Sequence, residues 1–369
     1  MRLGVAGAVI GGGYVPGDLE IEDGTLARSG LSPSGEGYAI PGLIDLQVNG
    51  YGGVDFNTAT HDEFLEALRY LKRDGVFAVQ PTIITDDEAN VERQLRTLAK
   101  VQADPEARCE VVGAHAEGPF LSPSHHGVHR LEYLRRPDQA IIERFMAAGP
   151  LRTITIAPEL ENACAVIKWA ARAGLVVQAG HSGADTVEAG AGFDSGACAV
   201  THLFNGMVPF GHRAPGIAGV ALTRKDVQLQ VIADNVHLSE ETVHLILSAA
   251  EERCMLVTDA SSAAASPSGR GTVGGFELVV TDGVPRLPDG TLAGSTVTLA
   301  GQVANLVRAR MPLERAVNLV TRRPAEFFGL PGKGTLRIGG PADLIVLGPD
   351  LSVVRVVEGG HDVLAHGAL

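Results

Sequence analysis

The chain has 369 residues, 45% of them hydrophobic and 20% charged, and a net charge of −13, so it can bury a large core. The acidic balance argues against nucleic acid as a partner, and the lack of a run of about 18 apolar residues argues against a membrane-spanning helix. Cys109, Cys164, Cys198 and Cys254 are far apart with no CxxC pair, and Met1 to Gly13 lacks an apolar segment with a cleavage site. The reading is a cytoplasmic protein with reduced thiols and no signal peptide.

The length exceeds one average domain, and a (β/α)8 barrel takes about 250 residues, so one barrel plus a small accessory domain fits better than two equal halves. Residues 1–40 read as a β-meander. Val5 to Ile10 runs into Gly11-Gly12-Gly13, and Asp18 to Glu22 alternates before the turn at Asp23-Gly24. The triple glycine reads as a turn, because no Lys-Ser/Thr follows it and no helix opens after it. β texture returns at residues 340–348 and from Ser352 to Val357. The two ends are therefore expected to pair into a small β-sandwich domain of residues 1–40 and 335–369, with a TIM-like (β/α)8 barrel at 41–334 between them.

Pro41 launches the first barrel strand, from Gly42 to Gly50. Thr60 with Glu63 then makes a capping box, and Phe64, Leu65, Leu68 and Leu71 share one face of the helix that follows. Val76 to Val79 is strand two and Glu88 to Val101 its helix. Strand three, from Val111, ends in Glu117, and Gly118-Pro119 is expected to stop it and turn the chain. Thr153 to Ile156 is strand four, followed by a helix from Ala163 to Ala173. Strands five to eight each deliver a polar group at their ends: His181, His202, Asp234 and Asp259. Residues 262–289, rich in Ser, Gly and Pro, are too many for a simple connection and predict a lid or β-excursion over the site.

In a parallel barrel the carboxyl ends of the strands converge on the face where active sites sit. Glu117, His181 and His202, each from a different strand end, form a donor set suited to one divalent ion with an open water position. That ion is expected to be Zn2+, with Fe2+, Co2+ and Mn2+ as alternatives. Such an ion lowers the pKa of its bound water to about 7 and polarises a carbonyl. Asp259, on a further strand, is placed to take the water's proton and hand it to a leaving group.

Several segments carry a family resemblance: His115-Ala116-Glu117-Gly118-Pro119-Phe120, Gly180-His181-Ser182, Thr201-His202-Leu203-Phe204-Asn205-Gly206-Met207, Asp234-Asn235-Val236-His237, Thr258-Asp259-Ala260 and Pro41 to Gly50. Together, from about residue 38 to residue 347, they resemble the N-acetylglucosamine-6-phosphate deacetylases of the amidohydrolase superfamily. The resemblance implies Glu117, His181 and His202 as metal ligands, Asp259 as the acid/base, and His129 as a substrate-contacting histidine that helps polarise the amide carbonyl. It further implies substrate contacts at Val128, Asn205, Gly206, Asp234, His237 and the turn Leu292-Ala293-Gly294-Ser295. It also implies a homodimer in which Arg213 serves the neighbouring site, where its fork of donors suits a phosphate.

One departure carries a prediction. Many amidohydrolases have His-x-His at the end of strand one, holding a second metal, whereas this chain has Gln47-Val48-Asn49. Neutral amides are poor Zn2+ ligands, so one metal is expected. His125 and His126 read as merely exposed. The expected activity is hydrolysis of N-acetylglucosamine 6-phosphate to glucosamine 6-phosphate and acetate. The alternatives are the same chemistry on N-acetylgalactosamine 6-phosphate or another amide, or a non-catalytic sugar-phosphate binder.

Overall fold

The computed structural model describes residues 1–363; residues 364–369, assigned above to the small β domain, lie outside the described residues. Eight parallel strands follow one another in chain order: Leu43–Val48, Val76–Ile84, the interrupted pair Glu110–Val111 and Ala114–Phe120, Leu151–Ile156, Val176–Ala179, Ala199–Val200, Gln228–Val231 and Cys254–Leu256. The ring closes between the eighth strand and the first. There the Asp259 N–H donates to the Gln47 carbonyl at 2.9 Å and the Asn49 N–H donates to the Ala260 carbonyl at 2.8 Å. This is the expected (β/α)8 barrel, and its closure brings Gln47, Asn49 and Asp259 together.

Two strands differ from expectation. The second runs past Val79 to Ile84, through Pro81. Its pairing with the first strand shifts between Asp45 and Val48, the partner of Pro81, and a proline without an N–H is tolerated where the ladder is already irregular. The third strand is not stopped by Gly118-Pro119 but continues to Phe120, with its register against the fourth slipping between Glu117 and Phe120. The pair acts as a bulge that re-aims the strand end.

The first barrel helix, His61–Arg73, carries the capping box of Thr60 and Glu63 and buries Phe64, Leu65, Leu68 and Leu71. Residues from both parts of the chain pair in a separate sheet ordered Gly13–Pro16, Gly7–Ile10, Tyr38–Pro41, Leu344–Leu347, Val353–Glu358 and His361–Asp362. Alternation along these strands divides their side chains between two cores. Ala8, Ala39, Leu344 and Val346 pack on Leu19, Ile21 and Leu26 of the hairpin Asp18–Glu22 and Thr25–Leu31, whereas Val9, Ile40, Ile345 and Leu347 join the barrel's core.

The segment after the eighth strand is a β-excursion of two small hairpins, Thr272–Val273 with Phe276–Glu277 and Val279–Thr281 with Val284–Arg286. Val273, Leu278 and Ala293 give it a core of its own, seated on Ile84 and Val128. The Gly275 N–H donates to the Asp55 carboxylate at 2.9 Å, and the Arg130 guanidinium lies 4.1 Å from the centre of the Phe276 ring. Among the described residues no helix is long and apolar enough to cross a membrane.

Candidate metal-dependent active site

The carboxyl ends of the strands surround a cavity of about 230 Å³ whose walls include Asn49, Glu117, His129, His181, His202 and Asp259. Several of these residues sit in backbone conformations that side chains usually avoid. His181, His202 and Asp259 have φ of 47°, 29° and 50°, the left-handed region that costs a non-glycine residue about 1 kcal/mol or more. Such strain persists only where the surrounding structure holds it, and it gathers at functional sites.

Glu117 Oε1 lies 3.1 Å from His181 Nε2 and 2.9 Å from His202 Nε2, and the two nitrogens are 3.1 Å apart. His181 Nδ1 lies 2.8 Å from the His125 carbonyl, which can only accept. That proton is therefore on Nδ1, and a neutral His181 turns a bare lone pair toward a carboxylate oxygen and a second imidazole. Three electron-rich atoms facing one another at about 3 Å call for a cation between them. A tetrahedral Zn2+ with ligands at about 2.0 Å has edges of about 3.3 Å, so the donor set fits one such ion. An imidazole braced by a carbonyl through its other nitrogen is the usual support for a ligating histidine. Burial disfavours charge on His202, but its hydrogen bond to Glu117 and that residue's charge prevail and push it up to about 9, so when no ion is bound a proton on His202 takes the cation's place. Glu117 is held well below the usual carboxylate range: burial works against ionisation, and the close approach of the His181 and His202 imidazoles outweighs it.

The donor atoms of Glu117, His129 and His181 also lie within 4.8 Å of one another, but His129 has a different chemistry. Its Nδ1 accepts the Thr85 main-chain N–H at 3.2 Å and is 2.9 Å from the Thr85 hydroxyl. A main-chain N–H can only donate, so the proton of a neutral His129 is on Nε2. This histidine is a donor rather than a ligand. Burial and the neighbouring His181 hold it well below the ordinary histidine range, which keeps it neutral. The Thr85 hydroxyl also reaches the Glu117 carbonyl at 3.0 Å. Gly118 makes room for it, since a Cβ there would stand 2.1 Å from Thr85 Oγ1.

Asp259 is buried, and burial and the nearby Glu117 carboxylate raise its pKa. His237 Nδ1 lies 2.8 Å from Asp234 Oδ2, which also accepts the Ser295 hydroxyl at 2.8 Å. Val128, Asn205, Gly206, His237, Leu292 and Gly294 line the cavity. Asp234 and Ser295 stand behind His237, and Ala293 is packed into the excursion's core. Arg213 is not brought to the cavity; it is exposed on the loop before the helix Gly216–Thr223. Among the described residues lining the cavity there is no lysine or arginine. His125 and His126 are half-buried rather than merely exposed, since the carbonyl of the first orients His181 and the ring of the second bonds the His129 carbonyl at 2.7 Å. Sequence reasoning missed Thr85 altogether. A larger groove of about 420 Å³, lined by residues such as Val243, Leu247, Leu306 and Met311, includes none of these groups.

The family model of the amidohydrolase family matches residues 38–363. The chain belongs to the amidohydrolase family. The N-acetylgalactosamine-6-phosphate deacetylase of Escherichia coli O157:H7 is 33% identical over 321 residues, 86% of this chain and 85% of that one. The human N-acetylglucosamine-6-phosphate deacetylase is 35% identical over 338 residues, 87% of this chain and 82% of that one. Among solved structures, an N-acetyl-D-glucosamine-6-phosphate deacetylase mutant from Mycobacterium smegmatis, in complex with N-acetyl-D-glucosamine-6-phosphate, superposes with a TM-score of 0.91 at 31% identity. The match covers 98% of this chain and 99% of that one. The resemblance read from the motifs holds along the chain.

Proposed function

We propose that this chain hydrolyses the acetamide of N-acetylglucosamine 6-phosphate to acetate and glucosamine 6-phosphate, with Glu117, His181 and His202 as ligands of one divalent ion, Zn2+ by preference. The carrying observation is the meeting of a three-donor triangle, a buried carboxyl and a histidine fixed as a donor in a chain whose relatives deacetylate amino-sugar phosphates. When bound, the ion supplies a Lewis acid for the carbonyl and makes water more acidic. Asp259 takes a proton from the attacking water as the new C–O bond forms. It then gives that proton to the nitrogen as the C–N bond breaks, leaving a free amine and acetic acid, whose remaining proton is lost to solvent or the amine to give acetate. His129 donates Nε2–H to the carbonyl oxygen as negative charge gathers there.

Val128, Asn205, Gly206, Leu292 and Gly294 form the walls against which the sugar lies. Asp234, braced by Ser295, orients His237 toward it, and Ala293 holds the turn in place. A phosphate dianion entering a cavity whose described walls hold no lysine or arginine needs a cation from elsewhere, and the exposed Arg213 favours a homodimer in which the partner subunit's Arg213 supplies it. We place the enzyme in the cytoplasm, where its four free cysteines stay reduced. We take residues 1–40 with 335–369 as the small domain and 41–334 as the catalytic one.

The test is acetate release from N-acetylglucosamine 6-phosphate, its galacto epimer and the unphosphorylated sugar, before and after chelation and Zn2+ restoration. Metal-dependent release that requires the phosphate, faster on the gluco sugar, is expected. Release that survives full metal removal overturns the ligand assignment, and equal rates without phosphate overturn the role of Arg213.

A further inference from the structure

We propose that Gln47 and Asn49 are positioning residues for the proton transfer: together they select the oxygen of Asp259 that carries the proton. The inference rests on the reading of Asp259 as the acid/base.

The Gln47 side-chain amide donates from Nε2 to Asp259 Oδ1 at 3.1 Å, and that of Asn49 donates from Nδ2 to the same oxygen at 2.8 Å. The three side chains belong to residues exposed by 0%, 5% and 8%, so water does not compete for these bonds. An amide NH2 can only donate. An oxygen that already accepts two such bonds has no room for a proton directed at either of them, so the acid form of Asp259 holds its proton on Oδ2. One oxygen of the carboxyl is thereby spent on anchoring, and the other is left for the water and the departing nitrogen.

Two further observations separate this role from mere packing. The main chains of the two segments are locked to each other where the barrel closes, by the Asp259 N–H on the Gln47 carbonyl and the Asn49 N–H on the Ala260 carbonyl. The donors and the carboxyl therefore cannot drift apart. In addition, Gln47 Oε1 and Asn49 Oδ1 are buried without a hydrogen-bond partner in the protein. A buried amide with one half unpaired is costly to a fold, and an apolar residue of similar shape is the cheaper occupant. Both amides nevertheless turn their NH2 groups to one and the same oxygen of Asp259 and leave their own oxygens unpaired, an arrangement that serves a carboxyl that must present one chosen oxygen.

The experiment is a double-mutant cycle on the metal-loaded enzyme with Gln47→Leu, Asn49→Leu and Asp259→Asn, singly and combined, reading kcat, KM, metal content, melting temperature and the solvent deuterium isotope effect on kcat. Each leucine variant is expected to keep one metal per chain, a melting temperature at or above that of the parent and a KM within about twofold. Its kcat should fall about 10- to 100-fold, the usual loss when the group behind a catalytic residue is removed, and its isotope effect should rise as proton delivery becomes limiting. Combined with Asp259→Asn, neither should lower kcat further, because each acts through that carboxyl. If Asp259→Asn is disabling and the leucine variants are not, or if their losses persist in the Asp259→Asn background, the positioning role is wrong while the acid/base reading stands. If Asp259→Asn turns over normally, the acid/base reading itself fails.

Discussion

The two ends of the cavity are built on different plans. At the end proposed to handle protons, three groups are braced by this chain: His181 by the His125 carbonyl, His129 by the Thr85 N–H, and Asp259 by the amides of Gln47 and Asn49. At the other end the described residues of the walls include no lysine or arginine, and Arg213 stands exposed on its loop. The contrast follows from what each end must do. Proton transfer requires heavy atoms held within hydrogen-bond reach in a fixed direction, which the rigid ends of barrel strands provide. Attraction of a phosphate tolerates a looser source of charge, and a second chain can bring it.

The hardest blow to the braced end is Asp259→Asn. Metal content and substrate affinity should hold, and turnover should fall by about 10³-fold or more, near the usual worth of a positioned acid/base; acetate release at the parent's rate breaks the scheme. The open end is tested by Arg213→Ala. KM for the phosphorylated sugar should rise about 10- to 100-fold, the value of a lost charged hydrogen bond, with kcat and the unphosphorylated sugar little affected. Mixing the Arg213→Ala and Asp259→Asn proteins sharpens the comparison. Exchange of subunits should restore part of the activity, because one hybrid site then holds both an intact Asp259 and the partner's intact arginine. No recovery in exchanged dimers puts Arg213 in its own subunit's site.

The smallest effect concerns the support beneath the braced end. Asp45 accepts from the Thr258 hydroxyl at 2.6 Å and the Thr258 N–H at 3.1 Å, yet burial pushes its carboxyl up to about 7. The folded value lies above the unfolded one of about 3.9, so its contribution to stability is fully present below about pH 4 and is lost as pH rises toward 7. Asparagine does not titrate. The melting temperature of Asp45→Asn relative to the parent should therefore climb between pH 5 and pH 8, whatever its offset, and a constant offset would show that Asp45 is ionised throughout.

Much of this was legible in the sequence because ligand-type residues placed where apolar runs stop can be recognised one at a time. Glu117, His181, His202 and Asp259 each announce a strand end, and the barrel converts four sequence positions into one site. What escaped depends on pairs. Gln47-Val48-Asn49 could be read as a missing second metal site, but not as two donors to a carboxyl more than two hundred residues away. Thr85 looks like any threonine after a strand, and its N–H matters only because Gly118 leaves it room beside His129. Gly118-Pro119 reads as a stop in isolation but is a bulge here, because the fourth strand pairs with Glu117 before it and with Phe120 after it.

The terminal sheet has a consequence for how the molecule is made. Tyr38–Pro41 pairs with Leu344–Leu347, so this early strand leaves the ribosome about 300 residues before its partner exists. At ordinary synthesis rates that is a wait of roughly 15 to 60 s, far longer than local helices and hairpins need to form. Throughout that interval Tyr38–Pro41 has Gly7–Ile10 on one side and an open row of main-chain donors and acceptors on the other, the kind of edge that captures other extended chains. The nascent barrel must carry this unfinished edge until Leu344–Leu347 emerges to seal it.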